Sequence, residues 1–210
     1  MEQSLEYCSL HYLNMWLKYD RGYYIALKKG SDDEKLSSLK KATHYYKISR
    51  NLPSEFDEGK NFPRYKPVLN ILESLTRADV IGRPLDLIIE TENRISEVYG
   101  GRGTLSLTTK LLWLKMRDPI IIYDKEVRTA LGTPDGDLPS YYEAWKQEYK
   151  NYEDQISSVC AKLSKISKYS YNNIPAERIE KLSSKRWFKK RVFDVYLWHK
   201  APRKKPSTKP

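Results

Sequence analysis

Apolar residues recur at three- and four-residue spacing along the chain, and no stretch alternates apolar with polar residues between hairpin turns. Such a chain buries one stripe per helix against other helices. The expected fold class is therefore all-α, with two helical lobes flanking a cleft. Tyr65, Val68, Leu69, Leu72 and Leu75 follow the stripe of a core-facing helix. Ser31-Asp-Asp-Glu34 is a capping-box sequence that starts a helix carrying Leu36, Leu39 and Tyr46, with Asn51 and Pro53 ending it. Pro84 suits the first turn of a helix that runs through Leu85, Ile88, Ile89, Ile95 and Val98 to Gly100. Ser140 to Glu143 forms a second box ahead of a long helix with Trp145, Tyr149, Tyr152, Ile156, Val159 and Leu163, and Gly132 to Pro139 is a loop before it.

A length of 210 residues allows one substantial core, or two small helical lobes sharing a cleft. We expect a single compact domain over residues 1–200 and a disordered basic tail over 201–210, which carries no apolar side chain beyond Ala201 and its prolines. Apolar residues at 40% and charged residues at 31% are globular proportions. No apolar run reaches the ~20 residues that span a bilayer, and MEQSLEYCSLHYLNMW lacks a secretory pattern. The expectation is a cytoplasmic, nucleoid-associated monomer with no membrane partner. Cys8, Cys160, His11, His44 and His199 show no metal-ligand spacing, so neither a disulfide framework nor zinc nor an iron-sulfur cluster is expected, and no cofactor. The H-x-E and P-C-x-x-C pattern of a zinc deaminase is missing.

The net charge of +11 is concentrated at one end: residues 181–210 hold eleven Lys or Arg against Asp194 alone, a net +10, which leaves +1 for the other 180. A segment of that kind attracts a polyanion, and DNA is the expected partner. Within KRWFKKRVFDVYLWHK the cations interleave with aromatic and aliphatic residues at helical spacing, which predicts a docked helix with one basic face. Lys185, Arg186, Lys189, Lys190 and Arg191 are its phosphate-binding candidates.

Residues 100–132, GGRGTLSLTTKLLWLKMRDPIIIYDKEVRTALG, carry the chemistry. Gly100, Gly101 and Gly103 predict a tight turn between two helices, where exposed amides and Arg102 can hold a phosphate; a glycine-rich helix cap without a ligand is the plainer alternative. Leu105 to about Arg117 reads as a helix stopped by Asp118-Pro119, followed by the extended apolar run Ile120, Ile121, Ile122, Tyr123. A helix of about eleven residues advances ~16 Å and five extended residues return ~17 Å, so the run brings Asp124 back toward the first turn of that helix, where Lys110 is expected. Asp124 before Lys125-Glu126-Val127-Arg128 is also a good N-cap, and Lys110 could be a solvated helix lysine. A lysine partly buried near a helix start, however, has its ammonium form disfavoured, which makes an amine nucleophile.

Gly101-Arg102-Gly103, then Lys110, then Pro119-Ile-Ile-Ile-Tyr-Asp124 resemble, in order and kind, the helix-hairpin-helix DNA glycosylases of the 8-oxoguanine type. S-L-T-T-K-L-L-W-L, P-I-I-I-Y-D-K-E-V-R-T-A-L and Phe193-Asp194-Val-Tyr-Leu197-Trp198 are similar to compact bacterial proteins with that glycosylase fold. The family's L-P-G-V-G-x-K hairpin carries its lysine closer to the last glycine, whereas Lys110 follows Gly103 by seven. The resemblance implies a helix-hairpin-helix-like element and a DNA N-glycosylase that flips and excises a damaged base or a modified base of phage DNA, with Lys110 and Asp124 catalytic. It also implies abasic-site lyase activity as an option, through a lysine Schiff base. Gly101, Arg102, Gly103 and Arg128 would join the C-terminal cations on DNA, and Trp113, Tyr123, Trp145 and Trp198 are the candidates to line the base pocket. A non-catalytic DNA-binding protein using the same basic helix and glycine turn is the alternative.

Overall fold

A computed structural model describes residues 3–52, 64–101 and 103–202, and among these the regular structure is all helical. In chain order the α-helices are α1 (Leu5–Met15), α2 (Arg21–Lys29), α3 (Asp32–Tyr45), α4 (Lys66–Glu73), α5 (Arg77–Val80), α6 (Pro84–Val98) and α7 (Leu105–Met116). They continue with α8 (Lys125–Leu131), α9 (Leu138–Lys162), α10 (Ala176–Ser183) and α11 (Arg186–Lys200). No helix among the described residues is long and apolar enough to cross a membrane. The chain divides into two compact units, one made of residues 13–123 and the other of residues 1–12 together with 124–210.

In the unit of residues 13–123, α7 packs on α2 and α6, α2 packs on α3, and α4 packs on α3 and α6. α7 is buried over most of its length, and Leu107 through Leu114 are buried without a break, Thr108, Thr109 and Lys110 among them. Arg117 ends it with φ 62, a left-handed conformation unusual for a side chain of this size. Its guanidinium lies 3.9 Å from the centre of the Tyr24 ring, a cation–π contact that holds the turn. Behind it Ile120, Ile121, Ile122 and Tyr123 run extended and buried, as their composition predicts.

In the other unit α11 packs on α8 and α9, and α10 packs on the 3-10 segment that follows α9. Tyr12 meets Phe188 with ring centres 5.1 Å apart. Arg191 through Leu197 are all buried, so this half of α11 is core; of its cations Arg191 is turned inward, while Arg186 is exposed and Lys189 and Lys190 are half-buried. Cys8 and Cys160 are both free and buried, and burial pushes each thiol up to about 12.

The Ser31 capping box forms, with Ser31 Oγ accepting from the Glu34 amide and Glu34 reaching back to the Ser31 amide. The expected box at Ser140 does not: Asp137 caps α9, accepting from the Ser140 amide at 3.0 Å, because Leu138 and Pro139 fit the first turn and move the helix start upstream. α3 ends at Tyr45, well before Asn51 and Pro53, where Lys47 turns left-handed at φ 55. α4 ends at Glu73 and leaves Leu75 outside, and Ile89 and Val98 of α6 are solvent-exposed instead of core. The tail expected to be disordered lies, from residue 203, outside the described residues, as does Pro53.

Gly100 and Gly101 adopt φ 84 and 77 in the turn between α6 and α7, with no atom near the position of a Cβ, while Gly103 is not left-handed. Gly101→Ala should therefore cost about 1–2 kcal/mol from backbone conformation alone, and Gly103→Ala much less; urea unfolding of the two variants checks the difference.

Candidate active site and buried polar network

Lys110 is the sixth residue of α7, in its second turn, and so beyond the reach of the macrodipole that a first-turn position would have supplied. Burial is what distinguishes it. The residue is 5% exposed and its Nζ donates to Ser106 Oγ, one turn back, at 2.7 Å. Its neighbour Thr109 donates Oγ1 to the preceding turn, to the Leu105 carbonyl at 3.1 Å and the Ser106 carbonyl at 3.4 Å, and accepts from the Tyr123 amide at 3.0 Å. The last of these fastens the extended run back along the helix, as the length argument requires. Lys110 thus follows one partner of that bond and Asp124 follows the other. Lys110 belongs to the unit of residues 13–123, and Asp124 is the first residue of the following segment of the other unit.

Asp124 is half-buried and caps α8, with Oδ1 accepting from the Glu126 amide at 3.0 Å. The capping reading of this residue is realised. At the glycine turn Gly101 and Gly103 shape the entry to α7, and Arg102 lies outside the described residues. The Thr104 amide at the start of α7 donates to Glu92 Oε1 at 2.8 Å, so a carboxylate of the protein already holds one of the donors expected for a phosphate.

The remaining candidates scatter. Lys185 and Arg186 are exposed at the start of α11, and Lys190 is half-buried. Lys189 donates to Ser157 Oγ at 3.1 Å, and Arg128 Nε lies 3.4 Å from Asp135 Oδ1. Arg191 is turned inward, because the carboxylate of Asp194 draws it into a buried pair at 2.9 Å; it is therefore no part of a solvent-facing phosphate surface. Trp113 is packed edge-on to Trp16, Tyr123 is buried in its extended run, and Trp145 is enclosed in the core of the other unit. Trp198 is exposed, edge-on to His199, in a surface group with Tyr7 and His11.

The sequence reading missed a network centred on Asp194. Its Oδ1 accepts from Trp145 Nε1 at 2.7 Å and its Oδ2 from Arg191 Nη1, whose guanidinium also lies 5.5 Å from the Tyr12 ring centre. Tyr141, fully buried, shares a backbone hydrogen bond with Asp124 and senses the charges of both Asp194 and Asp124. Burial, joined by those two carboxylates, pushes the Tyr141 hydroxyl well above its ordinary value. Burial likewise raises Asp194, against the opposing pull of Arg191 and the Trp145 bond. The available signal was Asp194 itself, the lone acid among eleven cations and three residues from Arg191. No group of three or more His, Cys, Asp or Glu among the described residues is placed to hold a metal ion.

Asp194→Asn keeps an acceptor for Trp145 but leaves Arg191 buried without its counter-charge, a loss of about 3–5 kcal/mol in chemical denaturation. The double change Arg191→Met with Asp194→Asn should recover most of it.

Compared with family models, curated proteins and solved structures, the chain matches none of them.

Proposed function

We propose that the chain is a DNA N-glycosylase that removes a damaged or chemically modified base, with Lys110 and Asp124 as its reacting pair. The observation that carries this reading is the enclosure of Lys110, 5% exposed with its Nζ held by Ser106 Oγ at 2.7 Å, which a solvated surface lysine would not show.

In this reading the Asp124 carboxylate takes a proton from the Lys110 ammonium. The freed amine pair attacks C1′ of a flipped nucleotide, and the C1′–N bond breaks with its electrons leaving on the base, which then takes up a proton. Opening of the sugar ring gives an imine between C1′ and Nζ, from which loss of the C2′ proton expels the 3′-phosphate. If Lys110 only assists, Asp124 instead activates a water that attacks C1′, and no covalent link to the protein forms. The exposed cations Lys185 and Arg186 would contact strand phosphates without reading sequence.

Incubation with oligonucleotides bearing a panel of modified bases, followed by borohydride reduction, tests this. The expected result is base release and a covalent protein–DNA adduct that vanishes in Lys110→Gln. Release that survives Lys110→Gln but is lost in Asp124→Asn assigns the water route. DNA binding with no release from any modified strand overturns the enzyme and leaves a non-catalytic DNA-binding protein.

A further inference from the structure

The unit of residues 13–123 contains a cavity of about 340 Å³ that the base-excision reading does not use. Its lining includes four cations, Lys28, Lys35, Arg77 and Lys115, against one carboxylate, Glu73, with Tyr24 and aliphatic side chains completing the wall.

The existing partners leave this group with surplus charge. Glu73 is paired with Lys35, which also lies 3.8 Å from Asp32 outside the cavity. Lys28 donates to the Tyr24 hydroxyl at 3.2 Å, and the half-buried Lys115 to the Leu72 carbonyl, both neutral acceptors. Burial lowers the Lys115 amine and the neighbouring Lys35 lowers it further, with Glu73 opposing. Cations gathered at a partly enclosed wall repel one another, and an anion with several oxygens relieves them together. The volume lies at the small end of ligand pockets, which suits a phosphate carried on a small organic group and is too small for a larger cofactor.

We propose that this cavity binds a phosphate monoester of about mononucleotide size, with Lys35 and Lys115 at the phosphate and Lys28 and Arg77 at the rim. The site is independent of Lys110 and Asp124, so it stands or falls apart from the base-excision reading.

Titration calorimetry of the full chain with adenosine monophosphate, adenosine and inorganic phosphate tests it. Saturable binding of the monophosphate is expected, with adenosine silent and inorganic phosphate competing. Lys115→Met and Arg77→Gln should each weaken the monophosphate about tenfold or more, the worth of one charge-assisted hydrogen bond. Lys181→Met, exposed on α10, should not. Arg77 is itself exposed, so its variant decides the matter if Lys115→Met fails to fold. Competition by a 5′-phosphorylated oligonucleotide but not by its unphosphorylated form assigns the ligand to a strand end; competition by neither assigns it to a free nucleotide. Equal binding of adenosine and its monophosphate, or wild-type affinity in Arg77→Gln, overturns the proposal.

Discussion

The middle of α7, Leu107 through Leu114, is buried without a break and has no water to offer its polar side chains, and Thr108, Thr109 and Lys110 lie within it. Each polar group must be satisfied by the protein itself, because an orphaned donor in the interior costs about 1–3 kcal/mol. Thr109 returns its own proton to the preceding turn and spends its lone pair on the Tyr123 amide, which an extended run buried among apolar residues could not otherwise leave to solvent. The position of that run follows from this bond at one end. At the other it follows from the left-handed Arg117 turn, fixed by the guanidinium over Tyr24. Lys110 inherits its burial from the same arrangement.

The other unit answers the same problem with charge. Asp194 sits where α11 is most deeply buried, and its two oxygens are divided between an indole and a guanidinium. Trp145 is thereby oriented so that it stacks on Tyr149 and meets Phe193 at a near-perpendicular angle. One carboxylate thus orders both the ionic and the aromatic contents of this core, and its field extends to Tyr141 and Asp124.

The helices were legible because their apolar stripes are local, and α6, α7 and the extended run after α7 lie close to where the sequence put them. The Ser31 and Asp124 caps were legible for the same reason, since each needs only a few neighbouring residues. Where two local signals competed the outcome was less readable. Asp137 and Ser140 are both good caps, and the first-turn tolerance for Pro139 decided between them. On α11 it was Arg191 that departed from the expected basic face, because charge spacing alone cannot say that it has a buried partner one turn away. The cavity at Lys115 draws on α2, α3, α4, α5 and α7, segments whose meeting no sequence pattern announces. The Lys110 and Asp124 pair was proposed from chain lengths, and the Thr109 to Tyr123 bond is the part of that argument with a direct counterpart in the fold.

The division of the chain has a consequence for synthesis. The unit of residues 13–123 is continuous in sequence, whereas the other needs residues 1–12 and 124–210 together. As the chain leaves the ribosome, the continuous unit has all its own parts once Tyr123 has emerged. The first turns of α1, including Cys8 and Tyr12, must meanwhile wait for α8 to α11 at about 5–20 residues per second. For several seconds their apolar faces lack their own core, an interval in which the order of translation, and not stability, governs what they meet.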